Sequence, residues 1–394
     1  MIKKETIAHI IFTICLLYII APWFFEKVFL FNELIALAGL TTLAYKRFRI
    51  SNDQISICVV LFISWGIVHA FVSLLRMDAF YYYLRNLVIV YSSFAFFIGY
   101  FLFPYLKNFL RKTRSLLRVF IGIFIFIPLP RYLFERFGVA VLFPALFKKA
   151  SFKWLPHTLV ILNLIYGITY DAFTIIVLTA FYVLLFVSPG YKFFLGTLGI
   201  GLILFVALFI YLQPNLSIIA HRYNPYTEVG IYDVIRSHRL LSLDGNNTWR
   251  LVLWKEIIVD DFPRNIFGMG FGTPALKYFP VEDVNKIPSL PYVLGSHNSY
   301  VYLFGRLGIV YLLLTVFIYL VVIREYFKHK LYYTNNNQLL VFLSFFAISI
   351  IALFNTVLES PIYASAYWLI LGFTARCISE RQRSMNRNED TLHT

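Results

Sequence analysis

The stretch GSHNSYVYLFGRLGIVYLLLTVFIYLVVI, residues 295–323, decides how the chain is to be read. A polar opening from Gly295 to Asn298 gives way to an apolar run broken by one charge, Arg306. From 299 to 323 the run is long enough to cross a bilayer, which takes about 20 residues. Runs of the same kind recur at 6–22, 27–45, 55–75, 80–104, 116–130, 133–147, 154–170, 172–188, 193–212, 338–356 and 361–376. The composition agrees: 60% of the 394 residues are hydrophobic, 14% are charged and the mean hydropathy is +0.73. No soluble domain needs that much apolar surface. The expectation is an all-α, polytopic integral membrane protein of about twelve transmembrane helices.

Charge fixes the expected orientation. The formal net charge of +15 would suit a nucleic-acid binder, but its distribution argues against one. Lys3 and Lys4, the KRFR at 46–49, Lys107–Arg118, Lys148, Lys149 and Lys153, Lys192, Arg324–Lys330 and Arg376–Arg383 fall at every second gap between runs. This is the positive-inside pattern, which orients spans and needs no polyanionic partner. It places both termini on the cytoplasmic side of a multi-pass membrane protein. The run after MIKKE lacks a small-residue cleavage site and reads as an uncleaved first helix. Cys15, Cys58 and Cys377 lie inside apolar runs without pairing or metal-like spacing, so no metal or disulfide is expected.

The expected organisation is nine helices over 1–212, a large external loop at 213–298, three helices over 299–378 and a cytoplasmic tail at 379–394. The tail reads as a short polar, solvated end. The loop is the long polar stretch between spans, with eight Lys/Arg and eight Asp/Glu. A connection of this length in a compact fold is functional or separately structured. Its first half, LSIIAHRYNPYTEVGIYDVIRSHRLL, has helical spacing with exposed Arg222, Arg236, His238 and Arg239. Its second half, NNTWRLVLWKEIIVDDF, opens on an Asn/Thr capping signal. It sets Arg250, Trp254, Ile257 and Ile258 along one side, with Lys255, Glu256, Asp260 and Asp261 on the others. The expectation is an amphipathic helix at the outer leaflet.

The glycine-rich GMGFG at 268–272 would suit an anion, but it lacks the Walker lysine and serine and reads first as a structural turn. Ser296 is placed to cap the helix that follows. That puts His297 at the membrane–water boundary, either as a proton acceptor with a reference pKa of about 6.5 or as a hydrogen-bonder to the helix end. Arg250 is either solvated or a two-pronged grip on a diphosphate. Arg306 lies roughly 13 Å further along the helix than His297, where a charge faces a cavity or a partner. Arg85, in YYYLRNLVIV, either snorkels or points into the same region.

Taken together, NNTWRLVLWKEIIVDDFPRNIFGMGFG and GSHNSYVYLFGRLGIVYL resemble the O-antigen ligase and O-antigen polymerase superfamily of bacterial membrane glycosyltransferases. The resemblance rests on Arg250, Trp254, Gly268, Gly270 and Gly272, His297 with Asn298, and Gly308-Ile309. It covers under a fifth of the chain directly. It implies a GT-C-like, metal-independent, inverting enzyme without cofactor. Such an enzyme takes glycan from an undecaprenyl-diphosphate-linked donor at the outer face, for O-antigen or other surface polysaccharide. The acceptor is a second glycan or lipid A core, membrane lipid surrounds the site, and a chain-length regulator is a further partner. His297 would act on the acceptor hydroxyl as base or positioner, and Arg250 would hold the leaving diphosphate. The chain departs from the family twice. Tyr170 and Asp171 stand where the family's mid-chain arginine falls, and Arg306 stands where it often has Glu. Arg222, Arg85 or Arg306 would then supply the second positive group, with Asn298 beside them. The missing arginine leans the reading toward polymerase over ligase. A transporter or flippase is the reading from another class, since twelve spans with internal termini also suit a carrier.

Overall fold

The computed structural model describes residues 4–20, 30–45, 53–78, 80–112, 161, 165, 173–222, 250–251, 253–273, 296–335 and 338–392. Among these the chain is helical, with no strand. The principal helices are α1 (Lys4–Ile20), α2 (Phe31–Tyr45), α3 (Gln54–Leu74), α4 (Phe80–Asn86), α5 (Ala95–Lys112), α6 (Phe173–Val187), α7 (Tyr191–Arg222), α8 (Ser299–Asn335), α9 (Leu339–Phe354) and α10 (Pro361–Leu392). Four helices are long and apolar enough to cross a membrane: 54–74, 80–109, 191–212 and 299–333. Expected spans 116–130 and 133–147 lie outside the described residues, as does most of 154–170 and the pair Tyr170–Asp171.

The apolar helices assemble because their backbones can approach closely. α5 crosses α10 where Gly99 lies against the Leu369 carbonyl and Gly372 against that of Phe96; a Cβ on either would sit 2.1 Å from that oxygen. Small residues at a crossing are the usual device where lipid offers helices no hydrophobic drive to associate. The core around this seam is aromatic, with Phe62 against Trp368 and Tyr311. A hydroxyl chain runs through it from Tyr300 to Tyr319 to Tyr367. α7 is the exception, exposing Ile200, Leu202, Ile203 and Leu204.

The bundle has two chemically different ends. At one end Lys107 pairs with Glu380 at 3.3 Å and Arg381 with Glu325 at 3.0 Å, tying α5, α8 and α10 together. These residues belong to three of the basic clusters read from the sequence. The last of them corrects the solvated tail: α10 continues to Leu392, and Ser379 and Arg381 are buried. The carboxylate of Glu325 on the neighbouring helix is what draws the tail in. The other end holds the start of α4, the end of α3, the connection 355–360 and the opening of α8. That is where the singled-out polar residues gather.

Candidate functional site

α8 starts at Ser299, where the apolar run places it, but not on the expected cap. Its cap is Asn298, whose Oδ1 accepts from the Tyr300 and Val301 amides at 3.0 and 3.1 Å. Ser296, expected as the cap, instead donates its hydroxyl to the Asn298 carbonyl at 2.9 Å. A carboxamide one residue before the helix reaches the free first-turn amides; a hydroxyl three residues back does not. The bond from Ser296 to Asn298 arches over His297, which sits between them at φ 52. Left-handed backbone is uncommon for a non-glycine residue and costs on the order of 1–3 kcal/mol. Such a residue persists when its surroundings over-determine it, as the flanking Ser296 and Asn298 bonds do here.

The segment that carries Arg250 docks onto this turn. Trp254 donates its indole N–H to the Ser296 carbonyl at 2.9 Å, and its ring lies against Phe205 of α7. Residues 250–251 and 253–255 are helical and run into a π-helical turn, Glu256–Asp260. The wider turn changes which faces are buried. Trp254 and Ile257 are buried as expected and Leu253 is buried with them, but Ile258 is exposed, while Lys255 and Glu256 are buried. One residue more per turn rotates the following side chains out of the α-helical stripe. Lys255 is kept neutralised by Asp260 at 2.8 Å. Arg250 and His297, 47 positions apart, are thereby brought into electrostatic contact. Burial holds the imidazole well below its usual range and the Arg250 guanidinium pushes it further, to about 4. His297 is therefore a neutral imidazole beside a fixed positive charge.

The glycine-rich turn has a different task. α8 breaks at Gly308, with φ 72 and ψ −161. The break would strand the carbonyls of the preceding turn, and each finds a donor from elsewhere. Met269 N–H donates to Gly305 at 2.9 Å, Gly270 N–H to Arg306 at 3.0 Å, and the Trp65 indole to Leu307 at 2.7 Å. In return the Ile309 amide donates to the Ile266 carbonyl at 2.7 Å. The approach is so close that a Cβ on Gly268 or Gly308 would fall 2.4 Å from the facing backbone oxygen. The Gly268 and Phe271 amides are also spent, on Asn265 and on Ser73. Four consecutive amides, 268–271, are thus committed within the protein and are not available to an anion.

Arg306 faces a partner. It is 1% exposed and donates through Nη1 to the Gly270 carbonyl at 3.0 Å and to that of Thr273, and through Nη2 to the Tyr302 hydroxyl at 3.0 Å. Tyr302 in turn donates to Asn86, whose amide holds the Phe271 carbonyl at 2.9 Å. These bonds clamp the turn onto α8 and α4. Arg85, the neighbour of Asn86, is half-buried at the end of α4. Arg222 is the last residue of α7.

Glu359 is the residue that sequence reasoning missed. It lies in the connection between α9 and α10, is 5% exposed, and accepts from Ser299 Oγ at 2.5 Å. Burial pushes its carboxyl up to about 7, with Ser299 and Arg85 pulling the other way. The signal available in the sequence was an acid between two apolar runs, in TVLESP. The site thus joins a neutral imidazole and a guanidinium on one side, and a second guanidinium and a buried carboxyl on the other. Among the described residues no three His, Cys, Asp or Glu side chains converge as a metal would require. The class that fold and site define is a helical chain with membrane-length apolar helices and a basic, histidine-containing cluster at one end. Comparison with protein-family models, curated proteins and solved structures finds no match.

Proposed function

We propose that the chain is a membrane glycosyltransferase that transfers glycan from an undecaprenyl-diphosphate-linked donor in surface-polysaccharide assembly, as a polymerase of repeat units in preference to a ligase. The observation that carries this reading is the docking of the Arg250 segment onto the His297 turn, through Trp254 on the Ser296 carbonyl. This brings the Arg250 charge to bear on the imidazole. A neutral imidazole is ready to accept a proton from an acceptor hydroxyl, and a guanidinium matches a diphosphate bidentately. An anion arriving at Arg250 cancels part of the charge that suppresses the imidazole's basicity. The base therefore strengthens when the donor is in place. Arg85 supplies the second positive group. Arg306 does not: it is 1% exposed, and three of its five N–H donors already hold Gly270, Thr273 and Tyr302.

The expected outcome is that His297→Ala and Arg250→Ala each abolish the polysaccharide ladder on a gel while protein levels hold. General-base catalysis contributes about 10²–10⁴-fold, so a partial ladder is not expected from either. Normal ladders in both variants would sink the mechanism. In a knockout, a single-repeat product marks a polymerase, whereas long chains held on the lipid carrier mark a ligase joining glycan to lipid A core. The broken α8 favours a transporter as the second reading, since carriers place substrates at interrupted helices. Liposomes in which the purified protein moves a lipid-linked sugar without extending it would select that reading.

A further inference from the structure

The connection 355–360 and the opening of α8 share one hydroxyl, and its bonding fixes where a proton can sit. Ser299 Oγ accepts from the Val357 amide at 2.8 Å and from the Leu358 amide at 3.0 Å. A serine hydroxyl has two lone pairs and one proton. With both lone pairs taken, Ser299 can only donate, either to Glu359 Oε2 at 2.5 Å or to the Asn355 carbonyl at 3.1 Å. A proton on Oε2 would meet no acceptor at Ser299. A protonated Glu359 therefore carries its proton on Oε1, which is buried and has no hydrogen-bond partner among the described residues.

The charged group acting on this carboxyl is Arg85 of α4, which makes no hydrogen bond or ion pair among the described residues. From α8 the Ser299 and Tyr311 hydroxyls face Glu359, and His297 lies two residues before Ser299. The last turn of α9 and the first turns of α10 carry no charged side chain. Glu359 and Arg85 thus balance one another without being bonded. The arginine is half-buried and still able to take an anion.

We propose that Arg85 and Glu359 form a proton-linked anion site: a phosphate-bearing group pairs with Arg85, and Glu359 takes one proton from solvent at Oε1 as it binds. Once Arg85 is neutralised by the incoming anion, a buried carboxylate facing that anion has no compensating charge. It is stable there only as the neutral acid. The ligand class is the diphosphate diester of a lipid-linked donor. This rests on the reading of Arg85 as part of the donor's diphosphate site, and adds its regulation.

The test is calorimetric titration of the full-length protein in detergent with P1,P2-diethyl diphosphate, a diester whose charge does not change near neutral pH. Running it in two buffers of different ionisation enthalpy reads proton uptake directly, on unaltered protein. The expected result is uptake approaching about one proton per anion, with binding roughly tenfold weaker at about pH 8 than at about pH 6. Glu359→Gln should keep binding and lose both the uptake and the pH dependence; Arg85→Gln should lose binding. Absence of binding or of uptake in the unaltered protein overturns the proposal. So does unchanged affinity in Arg85→Gln, or uptake that survives Glu359→Gln and disappears in His297→Ala. Transfer is not measured here. Proton-linked binding without any glycan transfer would refute the glycosyltransferase reading and leave this site standing.

Discussion

His297 is held in an unfavourable backbone conformation and kept uncharged by its surroundings, and both conditions have consequences for pH. Its proton affinity is below that of the unfolded chain, first through burial and then through Arg250. The stabilisation of the neutral form is complete above the unfolded value of about 6.5 and is lost as pH falls toward about 4. A transferase that uses this imidazole should therefore keep its activity through mildly acid pH and lose it only on approach to about 4. Arg250→Gln removes the second cause and leaves burial in place. The acid limb of the pH profile should then move upward, toward but not reaching the ordinary histidine range. A profile whose acid limb stays in place, measured on residual transfer, would show that Arg250 does not act on His297. Arg85 was legible in sequence because it stands out against an apolar background. Arg250 and His297 lie in polar sequence and were singled out by their motif and their place before a span. Glu359 was not, since a lone acid between two spans looks like an ordinary turn. Its significance comes from Ser299, 60 positions away, and no local pattern announces that contact.

The break in α8 and the turn 266–273 form one unit. Each glycine in that unit answers to a particular neighbour: Gly268 to the Arg306 carbonyl and Gly308 to the Ile266 carbonyl. Both also have positive φ. Alanine at either position should cost on the order of 1–3 kcal/mol from backbone strain alone, and more from the enforced separation. Gly196 of α7 has open space around it. Gly196→Ala should leave thermal stability unchanged or slightly raised, since alanine suits a helix interior better than glycine. Melting curves of the three variants in detergent test this: equal shifts for all three would show that the turn is not clamped to α8. The sequence marked GMGFG as a turn and could not say what it was for. The reason is that two of its partners, Ser73 and Asn86, come from elements nearly 200 residues earlier. The π-turn at Glu256–Asp260 was equally illegible. An α-helical projection keeps Ile257 and Ile258 together, and a single wide turn separates them.

At the scale of the molecule, the ion-paired basic clusters of α5, α8 and α10 and the candidate site occupy opposite ends of the bundle. Hydropathy anticipated the helices from α1 to α3 and from α6 to α10 to within a few residues at most ends. It cut α7, α8 and α10 short at their polar ends, because a helix that leaves an apolar layer continues on hydrogen bonds and ion pairs that a hydropathy window does not register. On the membrane reading, the two ends face different compartments. Met77, beyond α3, and Met385, near the end of α10, are both exposed, while the three native cysteines are buried. Met77→Cys and Met385→Cys should therefore react with a membrane-impermeant thiol reagent from opposite sides, with little background. Labelling of both from one side would rule out this placement.

The interruption at Gly308 also bears on the order in which the chain can be built. A helix with three unanswered carbonyls is costly in hydrocarbon, where no water can satisfy them. Everything that answers them here, Trp65, Met269 and Gly270, precedes residue 305 in the chain. As α8 leaves the ribosome, its repair kit has already been synthesised, and the flawed helix can be received by a finished surface. Moving residues 54–273 to the C-terminal side of α8 in a permuted gene would preserve every contact and reverse that order. Such a chain would expose a broken helix to lipid until its partners arrived.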